Sequence, residues 1–113
     1  MLTIDRLAQF GADTDKGLER CMKNEAFYFR LIGMAAEDGN FNKLKEAIDR
    51  GDLDQAFEAA HALKGTTGNL SLDPIYEPIC EITELLRART EMDYSDNLKV
   101  IFDKLDELKE MIS

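Results

Sequence analysis

The residues able to do chemistry gather in one stretch, His61-Ala62-Leu63-Lys64-Gly65-Thr66-Thr67-Gly68-Asn69. Leu53, Ala56, Ala60, Leu63, Thr67 and Leu70 step through it by three and four, the spacing of a buried helical seam. His61 stands one step off that seam, so its imidazole should project toward solvent. Residues three and four apart on a helix are neighbours. Lys64 and Gly65 therefore lie beside His61, with Gly68 about two turns along the same side. At neutral pH an imidazole is mostly uncharged and offers a lone pair for attack. A nearby ammonium favours that uncharged form and offsets charge on phosphoryl oxygens as they transfer. The set suits in-line acceptance of a phosphoryl group. It does not suit hydrolysis, because no motif positions a water or supplies a metal site.

The glycines leave two readings open. Each costs about 1 kcal/mol against alanine inside a helix, and the pair flanks β-branched Thr66 and Thr67. Either one ends the helix or admits a neighbouring helix, or the missing side chains let another protein's backbone or a phosphoryl group approach His61. Taken singly, His61 and Lys64 are an ordinary surface histidine and lysine. Phe57, one turn before His61, is either core or an exposed docking residue. Glu58 either orients the imidazole or is simply solvated. Asn69 either donates to a partner or serves the helix end.

The elements that must position this stretch read as helices, since no run alternates with period two. Leu2, Ile4, Leu7, Ala8 and Phe10 form a short amphipathic helix that Gly11 ends. A second short helix is expected from about Asp15 to Lys23. Asn24 caps a third, with Glu25 at its positive end and Phe27, Leu31, Met34 and Ala35 as its stripe. Asp38-Gly39-Asn40 breaks the pattern, and Phe41, Leu44, Ala47 and Ile48 resume it until Arg50-Gly51. Asp52-Leu53-Asp54-Gln55 reads as a capping box, with Asp52 as cap and Gln55 reaching back. Asp73-Pro74 reads as a cap and a favoured first residue, ahead of an apolar face of Ile75, Ile79, Ile82, Leu85 and Leu86. Pro78 falls inside this segment, so the helix either starts near Glu77 or has an irregular first turn. Ser95 or Asp96 opens the last helix, with Leu98, Ile101, Phe102, Leu105, Leu108 and Ile112 inward. Short connections make neighbouring helices antiparallel. The expected fold is all-α: an antiparallel four-helix bundle with additional short N-terminal helices, forming one domain over residues 1–113.

Composition narrows the function classes. The chain has 113 residues, 14 Lys+Arg against 23 Asp+Glu, and a formal charge of −9. Its 44% hydrophobic content is enough for a core and argues against disorder. The acidity, without a Lys/Arg cluster, excludes nucleic acid as the main partner. No stretch approaches the roughly 20 apolar residues of a membrane span, and no secretory signal pattern opens the chain. A cytoplasmic location is expected, with Cys21 and Cys80 as reduced thiols. One histidine and no Cys-x-x-Cys argue against zinc. Neither a nucleophile elbow nor a Gly-rich ATP loop is present, so an enzyme acting alone is the weakest reading.

His61-Ala62-Leu63-Lys64-Gly65, in a helix of an acidic all-helical chain this size, resembles the signature of the histidine-containing phosphotransfer (HPt) family. Gly17-Leu18-Glu19-Arg20, Asn24-Glu25, Phe27-Tyr28 and Gly51-Asp52 are similar to the family's flanking segments. One departure stands out: the family often has glycine after the residue matching Leu70, and this chain has Ser71, which should modestly change the helix end. The resemblance implies a phosphoryl carrier of two-component signalling, not an enzyme in its own right. His61 would accept a phosphoryl group from a receiver-domain aspartyl phosphate and pass it to another receiver aspartate. Lys64 would neighbour the phosphate, Gly65 would keep the site open, and Gly68 would be a further contact or clearance position, with Phe57 and Asn69 as candidate partner contacts. The implied partners are response-regulator receiver domains and a hybrid sensor histidine kinase, with no nucleic acid and no membrane, and a monomer is expected. No cofactor is implied for this chain, because the Mg²⁺ belongs to the receiver's acidic pocket. The competing reading is a helical adaptor that binds receivers or kinases without carrying phosphate.

Overall fold

A computed structural model describes every residue, Met1–Ser113. Seven helices follow one another: α1 (Ile4–Phe10), α2 (Thr14–Arg20), α3 (Glu25–Ala36), α4 (Asn40–Asp49), α5 (Leu53–Asn69), α6 (Asp73–Arg87) and α7 (Ser95–Ile112). α4 lies along α5, α5 along α6 and α6 along α7. α3 closes onto α7, and Phe41 of α4 meets Phe102 of α7 edge to face at 6.3 Å. Because α3 and α4 do not lie side by side, they act together as one stave. The result is the expected four-helix bundle with α1 and α2 packed outside it. Ile32, Leu44, Leu63, Ile75, Ile79, Ile82, Leu86, Ile101 and Leu108 are completely buried between the staves, and Leu7 is completely buried where α1 packs on.

The helix boundaries follow from local chemistry. Thr3, Asp13, Asn24 and Asp52 each accept from the backbone N–H three residues on, satisfying donors the first turn leaves free. Asp52 caps α5 as expected, but Gln55 need not reach back, because the Asp52 N–H donates to Ala47 O at 2.8 Å. α2 ends earlier than its composition suggests: Met22 and Lys23 both adopt positive φ, 55° and 59°, which unwinds the chain after Arg20. At α6 the expected cap moves back one residue. Leu72 precedes the helix without a side-chain bond, and Asp73 is its first residue. Pro78 lies inside α6. The bond it deletes would reach Pro74 in the first turn, so the remaining turns run unbroken to Arg87.

The stripe on α3 is displaced by one residue from the expected one. Tyr28, Ile32, Ala35 and Ala36 are buried, whereas Phe27 and Met34 are exposed. Both sets recur at helical spacing, so period alone does not choose. The tyrosine decides, because its buried hydroxyl donates to Leu70 O at 2.8 Å, and an unpartnered phenol in that place would be costly.

α5 ends in a Schellman motif: Leu72 N–H donates to Thr67 O and Ser71 N–H to Gly68 O. Gly11 and Gly51 fill the matching left-handed position after α1 and α4. After α5 it is Ser71, at φ 54° and buried. A side chain there costs about 1–2 kcal/mol of local strain, of which glycine's greater freedom when unfolded recovers part. Ser71→Gly is therefore expected to stabilise the bundle by about 0.5–1 kcal/mol, raising Tm by roughly 2–4 °C in a thermal melt. An unchanged or lower Tm would show that the serine carries no net strain.

Candidate functional site

On α5, Ala56, Ala59, Ala60, Leu63 and Thr67 face the core, while His61, Ala62 and Gly65 are exposed and Lys64 is half-buried. Helical side chains lean toward the N-terminus. The imidazole accordingly lies against Phe57, with ring centroids 5.7 Å apart and planes 21° from parallel. Glu58 is exposed and makes no hydrogen bond to the ring, so it does not orient it.

C-terminal to the imidazole opens a groove of about 510 Å³. His61, Lys64, Gly65, Gly68 and Asn69 form one wall, continued by Ser71 of the α5–α6 turn and by Asp73 and Tyr76 at the start of α6. The remaining wall is α2, which contributes Lys16 and Arg20. Sequence spacing offered no signal for these two cations, because α2 reaches α5 only through the tertiary fold. Arg20 Nη1 donates to Gly68 O at 2.6 Å and lies 3.5 Å from Ser71 Oγ. It thereby serves a carbonyl at the negative end of the α5 dipole. Lys16 pairs with Asp13 at 3.9 Å. Lys16, Arg20 and Lys64 thus line the same groove as the imidazole, with Asp73 the one carboxylate in its lining and Asp13 paired to Lys16, a locally cationic groove on a chain of net charge −9.

The two glycines of the motif are glycines for different reasons. A Cβ on Gly65 would meet nothing within 4 Å, so the space beside His61 is open. A Cβ on Gly68 would sit 2.8 Å from Tyr76 Cε1, so this glycine makes room for α6. The neighbouring Cys80 side chain pushes the Tyr76 phenol above its ordinary value. On the other flank of α5, Leu31, Met34 and Ala35 of α3 join Thr66, Asn69 and Leu70 in an apolar groove of about 370 Å³. Asn69 borders both grooves. Cys21 and Cys80 are free thiols. No group of three or more His, Cys, Asp or Glu side chains is arranged to hold a metal ion, and no helix is long and apolar enough to cross a membrane.

The family model for the Hpt domain matches residues 34–113, which take in α4 to α7 and the site helix. The chain belongs to the Hpt domain family, and its role is phosphotransfer within a phosphorelay. No curated protein and no solved structure matches it.

Proposed function

We propose that His61 accepts a phosphoryl group from the aspartyl phosphate of a receiver domain and hands it to an aspartate of a second receiver. The observation that carries this reading is an exposed imidazole at the edge of a groove lined by Lys16, Arg20 and Lys64, with open space over Gly65. An imidazole nitrogen forms the N–P bond as the P–O bond to the receiver aspartate breaks. The carboxylate departs with the electron pair, and the proton on the other ring nitrogen passes to solvent, to return on onward transfer. Lys64 and the α2 cations offset the phosphoryl charge. The divalent ion, Mg²⁺, belongs in this reading to the receiver, and this chain carries phosphate without hydrolysing it. The apolar groove of Leu31 and Met34, next to the site, offers a docking face for the receiver. A hybrid sensor kinase supplies the donor receiver, and the carrier acts as a cytoplasmic monomer.

Incubation with phosphorylated receiver domains tests this. One of them should transfer phosphate to this chain as an acid-labile, base-stable adduct that peptide mapping places on His61. A receiver that binds the chain and transfers nothing would favour the adaptor reading. Lys64→Ala is expected to slow transfer roughly ten- to a hundredfold, with Tm unchanged because the side chain is only half-buried. An unaltered rate would remove Lys64 from the chemistry.

A further inference from the structure

We propose that Phe57 is a positioning residue for transfer at His61: its ring is the backstop that holds the imidazole toward the groove. The inference rests on the reading of His61 as the phosphoryl acceptor. No hydrogen bond or ion pair fixes the imidazole, and the stacked Phe57 ring is the one aromatic contact it makes. An exposed side chain with no such contact exchanges rotamers within nanoseconds, yet transfer requires the nitrogen lone pair aligned with the breaking P–O bond.

The backstop is itself anchored. Phe57 is half-buried against the core. Arg87 and Arg89 place their guanidinium carbons 5.0 and 5.7 Å from its ring centroid, within the range of cation–π attraction. Arg89 is in turn held on two sides, by Asp54 Oδ1 at 2.7 Å and by donating to Leu86 O at 2.9 Å. It sits at φ 55° just past α6, so the end of α6 braces a ring on α5. With its N-terminal side closed by Phe57, the imidazole is left facing Lys64, Gly65 and the groove.

A docking residue and a positioning residue differ in what they alter. Leucine keeps the apolar bulk of Phe57 against the core but removes the stacking face. In Phe57→Leu, transfer from a saturating phosphorylated receiver should fall roughly three- to tenfold with KM unchanged, and Phe57→Tyr should restore it. His61 is the only histidine, so its ring C–H signals are unambiguous by NMR. They should be displaced by the Phe57 ring current in the unmodified chain and return to exposed-imidazole positions in Phe57→Leu. A raised KM at constant turnover, failure of Phe57→Tyr to rescue, or His61 signals unmoved by Phe57→Leu would each overturn the proposal. The NMR signals report the stack without phosphate: unmoved signals in a chain that is labelled defeat the positioning role alone, whereas displaced signals in a chain that no receiver labels defeat the carrier reading.

Discussion

His61→Gln is expected to abolish phosphoryl uptake and leave the fold intact. Glutamine matches the reach and polarity of histidine, but its amide nitrogen shares its electron pair with the carbonyl and is not a nucleophile. No second histidine exists to take over. The substituted side chain is exposed and touches the Phe57 ring, so the stability change should stay within about 0.5 kcal/mol. Label transferred from a phosphorylated receiver and surviving alkali should fall to background, at least roughly a thousandfold below the unmodified chain, since removing a nucleophile leaves no alternative path for the covalent step. The thermal melt run in parallel separates loss of chemistry from loss of fold. Alkali-stable label persisting in a folded His61→Gln chain would move the phosphate to another nucleophile and end the assignment.

The parts of this site legible in the sequence are those that one helix settles alone. The offset of His61 from the Ala60–Leu63 seam, its neighbours Lys64 and Gly65, and the Asp52 cap all follow from spacing along α5. What was not legible came from other elements. Gly68 owes its missing side chain to Tyr76, and Lys16 and Arg20 reach the groove because α2 folds against the end of α5. Periodicity chose the wrong stripe on α3, whose two apolar faces share one spacing. The face that lost, with Phe27 and Met34, is exposed, and Met34 lines a groove next to the site helix. Ser71 was visible as a departure from the family pattern, but its cost became evident only with its left-handed backbone.

The corner that places α2 also yields the largest expected stability effect. A Cβ on Gly17 would overlap the Tyr28 phenol, approaching Cε1 to 2.6 Å and the hydroxyl more closely still. Tyr28 cannot easily retreat. It is fully buried, its hydroxyl donates to Leu70 O, and burial, ahead of the nearby charges of Cys21, Asp13 and Asp73, pushes its pKa to about 12. Gly17→Ala must therefore displace either α2 or the tyrosine. Overpacking costs about 1–3 kcal/mol, and losing the buried hydrogen bond adds roughly 1–3 more. A loss of about 2–6 kcal/mol, or a Tm lower by roughly 10–25 °C, is expected. Gly33→Ala is the control: with nothing within 4 Å of the added Cβ inside α3, it should gain about 0.5–1 kcal/mol. The same corner makes stability pH-dependent. Because folding raises the Tyr28 pKa above its ordinary 10, this contribution is intact below pH 10 and lost as pH rises through about 12. NMR of Tyr28 should show its phenol titrating near 10 in Gly17→Ala if the ring has been expelled. Where α2 has moved instead, Arg20 leaves Gly68 O and the groove loses two of its three cations, so phosphoryl transfer should slow even where the bundle remains folded. An unshifted Tm in Gly17→Ala would mean that α2 does not seat on Tyr28 as described, and the cationic wall opposite His61 would fall with it.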